Sequence, residues 1–470
     1  MRVAFISGNR EQLPDPVIPL GIITVATNLP KHHPRVLVDL CFEDEPMAIL
    51  PGRLQDFAPD LVAVGMRNIQ SADYSGKSAS IDYYRELIRT IRQVTRAPIV
   101  LGGSGFSVMP SELMMALRPD YGLSGEADQS FRALVEALER GSGLEKIANL
   151  HFFEGDQLIS SVAPVHYYDL RSAPQADRSL VDPRHYEVHG IEGIQTKRGC
   201  PLSCMYCTYP LIEGRVGRAR EPEAVAEEFL SLAESGRRVE HVFIVDSVFN
   251  LPRRHAKKVC EALIEHSVSI PWTCYANPLG FDEELAQLMK DAGCAGMEIG
   301  SDSGTDEQLL VLKKGFTTED IRSMSQMAKA AALPDCHTFL LGTPGESLDD
   351  VRRTLEFIID LDPFGAILMA WVDDYEALDA ELAIERQRLR DEVLELLDSH
   401  KSEFPWWSIP SIGANYDPAL FHMLRRRGYH GPLWQHMRKL MPPRTLQQKR
   451  KRRTDVGRID HASLGRSSDG

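Results

Sequence analysis

Gly193–Pro210 reads GIQTKRGCPLSCMYCTYP, a short strand-like run leading into a loop that holds Cys200, Cys204 and Cys207. The cysteines are separated by three residues and then by two. Three thiols in one loop can take three corners of a metal cluster. A structural zinc site normally closes with a fourth cysteine or histidine close by. Here the next cysteine is Cys260 and the next histidine is His241. A [4Fe–4S] cluster held by three protein thiolates keeps one iron open to a small molecule, which gives the missing ligand a chemical purpose. The other five cysteines, Cys41, Cys260, Cys274, Cys294 and Cys336, stand singly in apolar segments and read as small buried hydrophobes. A secreted disulfide framework would be short and cysteine-dense, and this chain is neither.

Downstream of the loop the pattern repeats as strand and helix. Strands are expected at Gly193–Thr196, His241–Asp246, Ile270–Ala276, Gly296–Gly300, His337–Leu341 and Ala366–Val372. Between them, helices are expected at Pro222–Ser235, Arg253–His266, Asp282–Ala292, Thr318–Ala332 and Leu348–Leu361. The helix from Pro222 shows the logic: proline opens it, Val225, Phe229 and Leu232 recur on one face, and Gly236 ends it. Six such units over residues 191–372 predict a partial (βα)6 barrel with its chemistry at the carboxyl ends of the strands.

Upstream, residues 1–140 also alternate. Strands are expected at Val3–Ile6, Val36–Leu40, Leu61–Gly65, Pro98–Leu101 and Tyr121–Leu123, with helices including Leu20–Leu29, Tyr83–Val94 and Asp128–Leu138. The class is α/β, an N-terminal doubly wound parallel sheet. Ligands of such sheets lie beyond the carboxyl ends of the strands. That singles out the loops Gly8–Gly21, Asp39–Pro46, Met66–Ser75, Gly102–Pro110 and Ser124–Ala127. Residues 141–190 read as a connector containing a hairpin that turns at Glu154–Asp156. Residues 373–441 form a mainly helical C-terminal region that includes the charged helix Ala377–Ser399 and the PWWSIPS segment. Residues 442–470 carry KRKRR at Lys449–Arg453 and read as a solvated, disordered tail.

At roughly 100–200 residues per domain, 470 residues hold two to four domains. The 53 Lys and Arg against 67 Asp and Glu give a net charge of −14, which disfavours a nucleic-acid partner. No apolar run approaches the roughly 18 residues of a membrane span. The N-terminal MRVAFISGNREQ turns polar too soon for a signal peptide. A cytoplasmic protein is expected.

The cysteine segment, with Tyr206 before its last cysteine, resembles the CxxxCxxC signature of radical S-adenosylmethionine (SAM) enzymes. Other segments agree: IVDSVFN at Ile244–Asn250, MEIGSDSG at Met297–Gly304, LKKGFT at Leu312–Thr317 and LLGTPGES at Leu340–Ser347. The resemblance implies a [4Fe–4S] cluster on Cys200, Cys204 and Cys207, with SAM contacted by Tyr206, Asp246, Asp302, Ser303 and Gly342. Glu is the commoner residue in that family where Asp302 stands. It also implies reductive cleavage of SAM to a 5′-deoxyadenosyl radical, driven by an external donor such as flavodoxin or ferredoxin. His337, at the start of the fifth strand, reads as a satisfied core histidine or, less often, a catalytic one. No catalytic residue is assigned.

A doubly wound domain ahead of such a barrel resembles the cobalamin-binding domain of the B12-dependent branch. PLG at Pro19–Gly21, GGSGFSVMP at Gly102–Pro110 and SGEAD at Ser124–Asp128 carry that likeness. It implies cobalamin contacts from Arg67, Asn68, Gly102, Gly103, Ser104, Gly125 and Glu126. The first-strand loop lacks histidine, so a bound cobalt would have no histidine ligand from it, and Arg67 would face the lower side without ligating. Methylthiotransferases of the superfamily need three cysteines in this domain, and only Cys41 is present. The implied activity is C-methylation of an unactivated carbon in a small molecule or peptide. Rearrangement, cyclisation or oxidation without methyl transfer is the alternative, and a non-catalytic metal-binding scaffold a further one. The aromatics around Trp406, Trp407 and GYHGPLW at Gly428–Trp434 are candidates to cover the substrate.

Overall fold

A computed structural model describes residues 1–69, 80–165, 167–375, 378–403 and 406–440. The basic tail and the far part of the Met66–Ser75 loop lie outside the described residues, as does Ala377 at the expected start of the charged helix.

The N-terminal sheet contains β1 (Val3–Ser7), β2 (Arg35–Asp39), β3 (Leu61–Gly65), β4 (Ile99–Gly102) and β5 (Tyr121–Leu123), all parallel. Its helices are α1 (Leu20–Asn28), α2 (Pro46–Phe57), α3 (Ser80–Val94), α4 (Ser104–Val108), α5 (Pro110–Leu117) and α6 (Asp128–Arg140). Alternate strand residues feed two cores. Val3 and Phe5 pack with Ala26 of α1 and Phe131 and Leu134 of α6. Ala4 and Ile6 pack with Leu54 of α2, Leu87 and Ile91 of α3, and Leu113 of α5. Helices on both faces make the sheet doubly wound, as expected. The hairpin β6 (Leu150–Glu154) and β7 (Gln157–Ser160) turns where the sequence predicts. It is not a free connector, however, because it pairs antiparallel with β5 and extends the sheet to the order β2-β1-β3-β4-β5-β6-β7. The order reverses between β1 and β3, so the ligand crevice of this fold opens beyond those two strands.

After α7 (Pro183–Glu187) the second sheet starts with β8 (Ile191–Ile194). A two-residue ribbon follows, β9 (Lys197–Arg198) against β10 (Arg218–Ala219), with α8 (Tyr209–Glu213) inside its loop. Then come α9 (Pro222–Glu234), β11 (His241–Ile244), α10 (Arg253–Glu265), β12 (Trp272–Ala276), α11 (Glu283–Asp291) and β13 (Cys294–Asp302). The series finishes with α12 (Asp306–Val311), α13 (Thr318–Ala330), β14 (Asp335–Leu341), α14 (Leu348–Leu361) and β15 (Gly365–Ala370). Six parallel strands in the order β15-β14-β13-β12-β11-β8 form an open arc, the expected partial barrel. Outward strand residues such as Val242, Trp272 and Met297 pack with Phe229 of α9 in its helix-backed core.

The C-terminal region is helical: α15 (Ala380–His400), α16 (Pro418–Arg426) and α17 (Leu433–Leu440). Ser408 of the PWWSIPS segment adds to the free edge of β15, donating to Ala366 O and accepting from Leu368 N, both at 2.9 Å. The GYHGPLW segment does not cover the barrel mouth. Trp434 lies against Gly296 and Gly365 and Gly431 against His241, all at the amino ends of strands, so this segment floors the barrel. Trp407 is buried in the core beside β15. Among the described residues no helix is long and apolar enough to cross a membrane.

Candidate functional site

The cysteine loop is pinned at its root. Asp246, fully buried, accepts from Thr196 N at 2.7 Å, Thr196 Oγ1 at 2.5 Å and Lys197 N at 3.2 Å. Its carboxylate is spent on holding the end of β8, so the structure does not bring it to the cavity as expected. Gly199 follows with φ +89°, and a Cβ there would sit 2.2 Å from Val216 O, so only glycine fits. Cys200 N donates to Gly214 O at 3.1 Å, Cys207 N to Cys204 O at 3.2 Å and Met205 N to Leu312 O at 3.0 Å. Burial raises the thiol pKa values of Cys204 and Cys207. Neighbouring thiols push the same way, while the Lys314 ammonium opposes them. A trio of mutually interacting thiols, Cys200 buried and Cys204 and Cys207 partly exposed, beside an ammonium fits a cluster that binds thiolates.

Next to the loop, the Asp302 carboxylate accepts from Tyr206 Oη and pairs with Lys314 Nζ at 2.5 Å, and Lys314 donates to Tyr206 Oη at 3.2 Å. Asp302 ends β13 with φ +64° and is buried. Burial, then the Asp302 charge, hold the Tyr206 phenol well above its ordinary range. The structure therefore brings Tyr206 and Asp302 together. It turns Ser303 away: its hydroxyl lies among Thr305 and Thr354 in the wall behind. Gly342 follows β14 with φ +77° and opens a tight loop. Arg386 of α15 donates to Gly342 O and, at 3.1 Å, to Thr343 O, while Gln308 donates to Thr343 Oγ1 at 2.6 Å. Lys314 and Arg386 were not among the expected site residues. Lys314 had a signal, since it lies in LKKGFT. Arg386 had none.

In the N-terminal sheet, Arg67 is exposed just past the reversal point. Gly103 has φ +105°, and a Cβ there would lie 2.5 Å from Met66 O. The Ser104 hydroxyl donates to Arg67 O at 2.8 Å, and Asn68 is half-buried alongside. Gly102 has little room, with Leu123 O 3.3 Å from a built Cβ. Gly125, at φ +69°, would place a Cβ 3.4 Å from Ile212 O of α8. The carboxyl ends of β4 and β5 thus meet the segment just after the cysteine loop, beside a cavity of about 280 Å³. Gly102–Ser104 is a backbone cradle in which the Cβ positions of both glycines are taken up by the protein's own carbonyls, Leu123 O and Met66 O. Glu126 does not face it, because its carboxylate pairs with Arg218 and, at 3.5 Å, with Arg198.

His337 is a satisfied core residue, fully buried between Ser301 Oγ at 2.7 Å and Asp335 at 3.1 Å. Burial disfavours the Asp335 charge, but His337 and Ser325 outweigh it and hold the carboxyl down at about 2.

Residues 194–358 match the model of the Radical SAM superfamily. Tryptophan 2-C-methyltransferase from Streptomyces laurentii is 28% identical over 77% of this chain and 70% of its own length. The radical SAM methyltransferase TsrM from Kitasatospora setae, solved with cobalamin and a [4Fe–4S] cluster bound, superposes with a TM-score of 0.69. It is 26% identical, over 79% of this chain and 72% of that one. The cobalamin-dependent SAM radical enzyme OxsB, 18% identical, shares the fold with a TM-score of 0.66 over 83% of this chain and 56% of its own. Fold, cysteine loop and relatives agree: residues 194–358 form a Radical SAM domain, and the chain as a whole is similar to cobalamin-dependent radical SAM methyltransferases.

Proposed function

We propose that the protein is a cobalamin-dependent C-methyltransferase acting on an unactivated carbon, with Cys200, Cys204 and Cys207 holding a [4Fe–4S] cluster. With its cofactors bound, such a site supplies a 5′-deoxyadenosyl radical from SAM and a methyl group carried by cobalamin. The observation that supports this best is the meeting of two sites. The carboxyl end of the N-terminal sheet meets the segment that follows the cysteine loop, with Gly125 against Ile212. Tyr206, Asp302 and Gly342 would contact SAM, with Lys314 balancing the buried Asp302 charge. Gly102, Gly103 and Ser104 would let backbone approach cobalamin, with Arg67 and Asn68 on its lower side. Arg386 fixes the Gly342 loop through its bonds to Gly342 O and Thr343 O, which would help hold the reacting groups in place. The electron would come from an external donor of the flavodoxin or ferredoxin class. None of the eight cysteines is in a disulfide, in keeping with a cytoplasmic setting.

The test is anaerobic reconstitution with iron, sulfide and hydroxocobalamin, followed by desalting. Cobalamin retained near one per chain, with S-adenosylhomocysteine formed from SAM under reduction, supports methyl transfer. Negligible cobalamin on a folded, cluster-loaded protein that releases only 5′-deoxyadenosine would move the reading to cobalamin-free radical chemistry.

A further inference from the structure

The inner face of the barrel is not filled. On β12, Trp272, Cys274 and Ala276 point outward into the helix-backed core, so Thr273 and Tyr275 point inward. Tyr275 keeps 38% exposure although β12 has a strand on either side. On β13, outward Met297 and Ile299 alternate with inward Glu298 and Gly300. Tyr275 pairs with Glu298 across the two strands, and Phe243 of β11 meets Tyr275 edge to face with ring centroids 5.0 Å apart. Higher up, inward Thr338, Leu340, Ile367 and Met369 are each partly exposed. The lumen is therefore apolar and aromatic, with one carboxylate near its base.

That carboxylate is half satisfied. The Trp434 indole N–H donates to Glu298 Oε1 at 2.9 Å. Among the described residues, Glu298 has no basic partner and its other oxygen accepts no hydrogen bond. Lys314, the ammonium above it near Gly300, is already paired with Asp302. Burial disfavours the Glu298 charge and raises its pKa, with the Trp434 N–H opposing. A carboxylate in such a setting is stabilised by a cation, and an adjacent tyrosine face adds a cation–π term.

We propose that the lumen takes an organic cation, with an ammonium group on Glu298 and an aromatic or apolar body along Phe243 and Tyr275. This rests on the methyltransferase reading and adds the substrate class. The carbon presented to the cysteine loop is then at the end remote from the nitrogen.

Equilibrium dialysis of the reconstituted protein at pH 7.5, with tryptamine and with indole-3-propionate, tests the proposal. The two share an indole and differ in the sign of the charged end. Tryptamine should bind at least tenfold more tightly, and Glu298→Gln, which keeps an acceptor for Trp434, should abolish the preference. If that variant melts early, Tyr275→Ala decides, and should weaken tryptamine at least fivefold. Equal binding of the two probes, a preference that survives Glu298→Gln, no effect of Tyr275→Ala, or no binding to cofactor-loaded protein would each overturn it. The parent reading fails separately, through loss of SAM turnover or cobalamin retention, whatever the dialysis shows.

Discussion

The Arg198 guanidinium lies 2.6 Å from the Asp128 carboxylate, joining the ribbon at the root of the cysteine loop to the first turn of α6 in the N-terminal sheet. Both side chains are largely buried, and Gln195 Oε1 holds the same guanidinium at 2.8 Å. With the Glu126–Arg218 pair beside it, this contact fixes how the two carboxyl-end crevices face each other.

Asp128→Asn keeps the shape and removes the charge. Breaking one side of a buried pair costs about 3 kcal/mol. The melting temperature should fall, and cobalamin retained after desalting should fall with it, while iron per chain holds. An unchanged melt would show that the contact carries no load.

Gly103→Ala drives a Cβ to 2.5 Å from Met66 O at a φ of +105°. Backbone strain of this kind costs about 1–3 kcal/mol. Cobalamin per chain should drop several-fold by absorbance, with the cluster still loading. Full retention would remove the cradle from the cofactor site.

Lys314→Met leaves the Asp302 carboxylate buried and unpaired, at a cost of about 3 kcal/mol. SAM affinity should weaken tenfold or more, and Lys314→Arg should recover part of it. Wild-type SAM binding by the methionine variant would place the pair outside the SAM site.

Burial pushes the Glu346 carboxyl up to about 7, although Thr343 N–H and hydroxyl oppose the shift. The folded protein thus binds this proton more tightly than the unfolded chain does. Glu346 therefore lowers stability progressively as pH rises from its ordinary 4.5 towards 7, by up to about 3 kcal/mol. Glu346→Gln should melt above the wild type at pH 8 and close to it at pH 4.5. A gap that does not change with pH would contradict this.

Strands buried on both faces are legible as continuous apolar runs, and β3 and β5 fall on the expected residues. Helix α2 was harder to see because Pro51 and Gly52 break its apolar period. The cysteine trio could be read directly, since three thiols in one loop have few other uses. Asp246 could not be: a carboxylate at a strand end looks the same whether it faces a cavity or caps its neighbour's backbone. Arg386 acts on Gly342 across 44 positions from inside a charged helix, where no local pattern marks it. Aromatic density at Gly428–Trp434 announces packing without saying which end of the barrel it seals.

The bridge that Ser408 makes to β15 has a colloidal consequence. Six strands that do not close leave a row of unpaired amides and carbonyls on β15, a template for a second chain. The hydrogen bonds between Ser408 and the backbone of Ala366 and Leu368, with Ala370 N donating to Ser411 Oγ, cover part of that row. A chain ending before residue 406 would keep every cysteine and glycine of the crevice, yet expose an adhesive edge. Self-association would then limit its lifetime in solution before any loss of chemistry.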